Sequence, residues 1–471
     1  MKKILITFCV LAFMASMAQA TESRLESMGM GNFWVDGYYY NSYNSIIKDD
    51  ANIGLYPSTI NYYPNIFWGE VQYNDAIEWS TKSWWGNNDY FYKAGALFQI
   101  GEDNPWVLGA HFSTVPYGSY YFDLDNYDDW TGGTNHKLNL YYGRNLSDMP
   151  FGFTFGYYNS SYDMTENDDS SYYYGYNYEY KFNRMEFGFG LSPMEGKLDL
   201  ALGFGLDSWT DKHWDDSYSD GAGGYDSGLV EQTKPDGNFD FSFRGRYWMD
   251  PNGKFQHVPH VTFMSSKRGE EYYTDYTRTG ETYAAWQLYY TYKYTETIFD
   301  FGWGVNYDAS EDVLVAADFG IALGSMKWET DYADTSNTDS EYKEKMNAMP
   351  YFRMGLDAKI FKWLDFRAGV MSMWNGYKEE ESYTDTDDPT DYDAYDYEYN
   401  EKFSTTTTFL GVGMHWGDLE IDAVMDPEFL LNGPDFIGGG TPDYYYYKDG
   451  EKAPGSPYYH LFTKVSLKYS F

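Results

Sequence analysis

The C-terminal stretch of the chain alternates between apolar and polar side chains up to its final residue. One face carries Phe471, Tyr469, Leu467, Val465, Thr463, Leu461 and Tyr459. The other face carries Ser470, Lys468, Ser466, Lys464 and His460, and only Phe462 departs from the pattern. Because successive side chains of a β-strand point to opposite faces, this stretch predicts a strand with one oily and one polar face.

The same alternation recurs further up the chain, in segments 198–206, 239–247, 299–307, 313–324 and 365–370. Leu- and Phe-rich faces lie opposite glycine and charged residues, which suits lipid outside and a wet lumen inside better than a soluble sandwich. In hydrocarbon every backbone polar group must be paired, so strands span a membrane only as a closed barrel. The alternation therefore predicts an all-β, transmembrane antiparallel β-barrel in the cell outer membrane.

Turn signals divide the chain into strands joined by alternating short and long connections. Short periplasmic turns are predicted at 101–104, 145–150, 192–196, 250–253, 308–311, 361–363 and 417–418. Long extracellular loops are predicted near 75–89, 118–134, 161–176, 210–236, 268–282, 329–348, 377–402 and 431–456. This spacing predicts about 14–16 strands with both termini on the periplasmic side. Aromatic girdles are expected at Tyr307 and Trp416 near short turns, and at Tyr157 and Trp374 near long loops.

The first twenty residues are typical of a secretory signal peptide. Lys2 and Lys3 precede an apolar run, and a small-residue cleavage site ends at Ala20. Cys9 is the chain's one cysteine, so we expect the exported protein to have no disulfide. With 33 basic against 72 acidic residues and a net charge of −39, nucleic acid is excluded as a partner.

The C-terminal residues Phe471, Tyr469, Leu467 and Val465 resemble the assembly signal of bacterial outer-membrane barrels. That signal ends in Phe with an aromatic residue two positions earlier. The resemblance implies that the barrel-assembly machinery, outer-membrane lipid and lipopolysaccharide are partners of this chain.

The N-terminal part resembles the long-chain fatty-acid transporter (FadL-like) family and the related barrel shuttles of type IX secretion. Met28-Gly29-Met30 stands where that family has Met-Gly-Gly, and Tyr56-Pro57-Ser58 follows Asp50 where the family has Asn-Pro-Ala. In the family these motifs thread into the lumen as a hatch. The resemblance implies a plug at 21–62 and passage of apolar small molecules. The predicted domains are then a signal peptide at 1–20, the plug at 21–62 and a barrel at 63–471.

Charged residues of both signs fall on the face opposite the oily one. Candidate lumen residues are Arg184, Asp240, Arg244, Arg246, Asp300, Asp365 and Arg367. They suit a polar pore of mixed charge. The alternative is a network of paired charges that closes the interior, because unpaired charges in a low-dielectric environment are costly.

The predicted loops carry much of the acid and the tyrosine. Residues 377–401 hold eleven acids, one Lys and six Tyr. Such loops could bind polysaccharide or a partner protein, or their Tyr side chains could pack across tall hairpins. Carboxylates that suit Ca²⁺ are Asp385, Asp387, Asp388, Asp391 and Asp393. Without a loop-and-glycine spacing, a solvated acidic loop is the alternative.

Catalytic motifs are absent from the sequence: it has no H-E-x-x-H, no G-x-S-x-G and no phosphate-binding loop. We therefore predict that the chain is not an enzyme and needs no cofactor. The barrel is predicted to be a passive porin-like or FadL-like channel for a small-molecule solute. The alternatives are a non-transporting surface protein whose loops bind a surface glycan, cations or a partner, and a type IX shuttle.

Overall fold

The computed structural model describes residues 22–30, 33–35, 38–40, 46–73, 90–102, 105–115, 135–166, 176–215, 229–275, 287–333, 339–384, 394–425 and 462–471. The expected signal peptide at 1–20 lies outside this part. The described chain begins with helix α1 (Glu22–Ser27), strands β1 (Phe33–Val35) and β2 (Tyr38–Tyr40), and two 3₁₀ helices, Asp50–Gly54 and Pro57–Tyr62.

The remaining strands form the wall. They are β3 (Ile66–Tyr73), β4 (Tyr90–Ile100), β5 (Trp106–Val115), β6 (Asn135–Leu146), β7 (Met149–Glu166), β8 (Tyr176–Leu191), β9 (Leu198–Asp215), β10 (Leu229–Pro235), β11 (Phe239–Tyr247), β12 (Phe255–Asp275), β13 (Gln287–Ser310), β14 (Val313–Tyr332), β15 (Asp339–Phe361), β16 (Leu364–Thr384), β17 (Ala394–Trp416), β18 (Leu419–Met425) and β19 (Phe462–Ser470). A helical turn, Pro193–Gly196, joins β8 to β9.

The wall strands pair antiparallel with their neighbours and close into a barrel through β19 and β3. Strands β10 and β11 both pair with β9 and with β12, one above the other, so the seventeen strands occupy sixteen positions. The prediction of an antiparallel barrel with about 14–16 strands is confirmed. Closure matters physically because it pairs the edges that an open sheet would expose to lipid.

The outer surface of the wall is apolar and aromatic. On β13, Phe299, Phe301 and Trp303 are exposed, whereas Asp300 between them is buried on the inner face. The predicted girdle residues Trp416, Trp374 and Tyr157 are also exposed. None of the described helices is long and apolar enough to cross a membrane. A closed barrel with this exterior belongs in the outer membrane, as the alternation predicted.

Short turns lie where the sequence placed them, for example at Ser147–Asp148 and at Gly417, whose φ of +63° favours glycine. Three predicted loops are wrong in large part. Residues 268–275, 329–332, 339–348, 377–384 and 394–402 belong to β12–β17, which run for 20–24 residues. A span needs only about 9–11 tilted residues, so these six strands continue well beyond the bilayer.

The C-terminal Phe471 packs at the closing seam. Its ring lies 4.9 Å from that of Phe67 and 5.7 Å from that of Phe98, and its backbone N–H donates to the Asn65 carbonyl. Phe471→Ala is expected to lower the free energy of unfolding by about 1–2 kcal/mol, because aromatic pairs are lost where the barrel closes. Urea unfolding in detergent measures this, with the equally exposed Phe319→Ala as control. Equal losses for the two variants would contradict a special role of the seam.

Candidate functional site in the barrel interior

The N-terminal segment packs against the inner face of the wall. Leu25, Met28 and Ile46 are fully buried in one apolar cluster with the wall residues Trp248 and Val258. A second cluster joins Ile53 and Ile60 of the 3₁₀ helices to the wall residues Trp68, Leu97 and Val107. We call this part of the chain, residues 22–30 and 46–62, the plug segment. It occupies the barrel interior next to the short turns. The hatch-like motif implied a plug at 21–62, and the role of this segment as a plug stays a prediction.

Wall glycines make room for the backbone of the plug segment. A Cβ added at Gly369 of β16 would overlap the Met28 carbonyl, and one at Gly152 of β7 would overlap the Pro57 carbonyl. A Cβ at Gly355 would lie 2.5 Å from Met28 O. Glycine opposite oily residues was interpreted from sequence as lining a wet lumen. Its role here is to allow close backbone approach.

The hatch-like motif lies at the centre of a polar anchor. The guanidinium of Arg246 covers the Tyr56 ring at 4.1 Å, and its Nε donates to Asp199 at 2.7 Å. Asp199 also accepts from Trp248 Nε1 at 3.0 Å and from the Ser192 hydroxyl. Ser192 Oγ in turn lies 2.7 Å from Ser58 Oγ. Arg246 and the motif were both singled out from sequence, but the contact between them was not predicted.

Ion pairs hold helix α1 and Asp50 to other strands. Lys93 of β4 pairs with Glu22 at 2.8 Å, and Lys464 of β19 pairs with Glu26 at 2.8 Å. Arg24 donates to Asp357 of β15 at 2.9 Å. Asp50 of the hatch-like motif lies 3.7 Å from Lys468. The interface between plug segment and wall thus combines apolar packing with buried charge pairs.

The predicted lumen residues Arg184 and Asp240 pair with each other on the inner face. Arg184 bonds Asp240 at 2.5 Å and Asp207 at 2.9 Å, and Arg268 joins the same two carboxylates. Arg244 donates to the Ser242 hydroxyl at 3.0 Å. These contacts match the paired-charge alternative rather than a row of free charges along a pore.

Two more predicted residues, Arg367 and Asp365, both lie on β16 and contact charged groups of neighbouring strands. Arg367 contacts Asp422 and Asp357, and its Nη2 lies 3.6 Å from Asp365. Asp365 also lies 2.6 Å from His415 Nε2.

Asp300 belongs to a buried polar cluster that was not predicted from the sequence. Tyr351 donates to Asp300 at 2.9 Å, while His260 Nε2 lies 3.0 Å from Asp318, which also binds Arg353. These groups come from the consecutive strands β12 to β15, and the register between the strands brings them together. The linear sequence does not show which of these side chains contact one another.

A methionine-rich layer lies beyond this cluster, toward the long connections. Met326, Met346, Met371 and Met373 are buried there with Ile298, Ala322 and Ala348. The partly buried rings of Tyr294, Trp328 and Tyr377 pack against this layer. Flexible thioether side chains fill irregular space well, so this layer forms a packed apolar patch on the inner side of β13–β16.

The uppermost described layer belongs to the extended parts of β12–β17. Rings stack across strands there: Tyr272 on Tyr290 at 4.8 Å, and Tyr294, Trp328 and Tyr342 in a row at 5.2 and 5.1 Å. Within 377–401, the stretch for which packing across tall hairpins was the alternative, Tyr377 meets Tyr399 edge to face at 6.1 Å. The acidic run Asp385–Asp393 lies outside the described residues, and no group of three potential metal ligands occurs within them.

The comparisons with known proteins identify no family. No protein-family model and no curated protein matches the chain. Among solved structures it is similar to the ferric preacinetobactin receptor BauA of Acinetobacter baumannii, at 6% identity over 86% of this chain and 79% of that one, with a TM-score of 0.29. The ferric yersiniabactin uptake receptor FyuA of Yersinia pestis gives 11% identity over 86% and 76%, with a TM-score of 0.32. OmpT of Vibrio cholerae gives 11% over 74% and 97%, at 0.23.

At TM-scores this low the likeness carries no argument about function. The resemblance to the long-chain fatty-acid transporter family finds no support in these comparisons.

Proposed function

We propose that this barrel is a passive, gated channel for small solutes, which its plug segment closes. The observation that carries the proposal is how the plug segment is held. No described wall strand takes a residue of 22–62 as its pairing partner. Displacement of the segment therefore breaks ion pairs, side-chain hydrogen bonds and apolar contacts, but it leaves the backbone hydrogen bonds that close the barrel intact.

Disulfide locks test this proposal because the plug segment meets the wall at two serine pairs. Ser23 Oγ lies 2.5 Å from Ser466 Oγ, and Ser58 Oγ lies 2.7 Å from Ser192 Oγ. We expect the double variants S23C/S466C and S58C/S192C to be silent in planar bilayers when oxidised. After reduction they are expected to show openings at the wild-type frequency, because the segment can move again.

The wild-type protein, treated with the same oxidant and reductant, is the control. Swelling of liposomes in a series of neutral and charged solutes then gives the size limit of the path. The proposal fails if the wild type and the reduced double variants are all impermeable. A variant that forces the plug segment off the wall, Gly369→Leu, must then be impermeable too.

A second candidate, a surface protein that binds glycan, is favoured by the exposed rings of the upper layer. Tyr397 and Tyr399 of β17 are 37% and 40% exposed. Flat rings of this kind stack on sugars. Retention on insoluble polysaccharide is expected to fall for Tyr397→Ala combined with Tyr399→Ala, and unchanged retention would contradict this candidate.

A further inference from the structure

Charge is sorted by face in the extended parts of β12–β17. On the outward face, lysines alternate with acids: Lys327 pairs with Glu329 and Glu341, and Lys378 pairs with Glu380 and Glu398. The hydrogen bonds that Lys327 and Lys343 donate hold the pKa of the Glu341 carboxyl below its ordinary value. This face is close to neutral.

The inward face has no such balance. Its described acids are Glu270, Glu296, Glu344, Glu379, Glu381 and Glu401. Arg268 is the one basic residue at the described inward positions of these strands from the methionine layer upward. It lies between Asp207 and Asp240. We call this inward surface, with its Tyr and Trp rings, the vestibule.

Glu344 is the strongest single indication of a ligand in the vestibule. It is only 4% exposed, and its Oε1 accepts from the Tyr342 and Tyr377 hydroxyls at 2.5 and 2.9 Å. Its Oε2 is buried without a hydrogen-bond partner among the described residues. Glu379 lies directly opposite Glu344 in the strand pairing. Like charges placed opposite each other destabilise a sheet. The Tyr377 hydroxyl, which also lies 3.1 Å from Glu379 Oε2, has one proton for two carboxylates and offsets this repulsion only in part.

Aromatic rings flank these two carboxylates. Tyr377 meets Tyr399 edge to face at 6.1 Å, and Trp328 adjoins Tyr342 at 5.1 Å. Ring faces attract ammonium and guanidinium groups, and carboxylates bond their N–H groups. A bare metal ion fits less well, since no three potential His, Cys, Asp or Glu ligands converge in the described part.

We propose that the vestibule binds organic cations, with Glu344 and Glu379 as the charged partners and the rings beside them as the apolar surface. The solute class is then one that carries amine or guanidinium groups on a short chain. This inference rests on the proposed channel function, for which the vestibule is the outer entry site.

Spermidine is the probe, titrated by calorimetry into the full-length barrel in detergent at physiological ionic strength. The variant E344Q/E379Q is expected to bind it at least about fivefold more weakly, because two charged partners become neutral. The control E329Q/E398Q removes the same net charge from the outward face, where Lys327 and Lys378 keep other acidic partners. It is expected to bind like the wild type. Tyr399→Leu is expected to lose about two- to fivefold by removal of a ring face.

Equal losses for E344Q/E379Q and E329Q/E398Q would show that spermidine follows overall charge and would overturn the proposal, as would no binding by the wild type. Heat-modifiable migration on gels verifies that each variant is folded. Binding is measured on the closed barrel, so it does not depend on gating. If the barrel conducts but does not bind spermidine, only the vestibule proposal is contradicted. If it binds spermidine but does not conduct, only the channel proposal is contradicted.

Discussion

Replacing Gly369 with leucine is expected to raise the open probability of the barrel in planar bilayers by about 10- to 100-fold. The new Cβ would overlap the Met28 carbonyl, and backbone on both sides leaves neither partner room to yield. Overpacking of this kind costs about 1–3 kcal/mol, and each 1.4 kcal/mol changes an equilibrium tenfold. That cost falls on the closed state, in which the plug segment contacts β16.

Gly376→Leu on the same strand is the matched control. A Cβ there meets nothing within 4 Å, so the variant changes strand propensity without touching the plug segment. If both variants open the barrel equally, the effect comes from the wall and the plug segment is not the gate. If Gly369→Leu folds and stays closed, the contact with Met28 does not hold the gate.

The variant Arg246→Met is expected to lower the free energy of unfolding by about 3–5 kcal/mol, since it leaves Asp199 as a buried charge without its guanidinium. Asp199 is 1% exposed, and the remaining donors, Trp248 and Ser192, are neutral. The variant also removes the cation–π contact with Tyr56. Urea unfolding in detergent, followed by tryptophan fluorescence, measures the loss.

Two further variants check the cause. Adding Asp199→Asn to Arg246→Met is expected to restore part of the stability, because the unpaired charge is then gone. Lys293→Met breaks an exposed pair with Asp331 and is expected to cost less than about 1 kcal/mol. A loss of similar size for Lys293→Met and Arg246→Met would contradict the assignment of Arg246 as an anchor.

The upper strands show where sequence reasoning stops. Within the membrane one face must be oily, so alternation of apolar and polar residues marks each strand. Above the membrane the outward face is polar too, and the inward face mixes aromatic and polar side chains: on β14, Lys327 and Glu329 point outward and Trp328 and Thr330 inward. The hydrophobic period vanishes although strand pairing continues, which is why residues 329–348 were predicted as a loop.

The interior was predictable only in part. Which residues face inward follows from a period of two, so Arg184, Arg246 and Arg367 were assigned to the inner face from sequence. Their partners were not, because strand register and closure decide which carboxylate meets which cation. Asp199 meets Arg246 because β9 and β11 are adjacent and in register.

By itself, the sequence determined that this chain is a lipid-facing cylinder with short turns at one end, because hydrocarbon imposes strict rules on every residue that touches it. Whether that cylinder is open or filled was decided only by tertiary structure. A glycine facing inward can line water or receive another part of the backbone, and Gly369 receives Met28 because the N-terminal segment folds back against it.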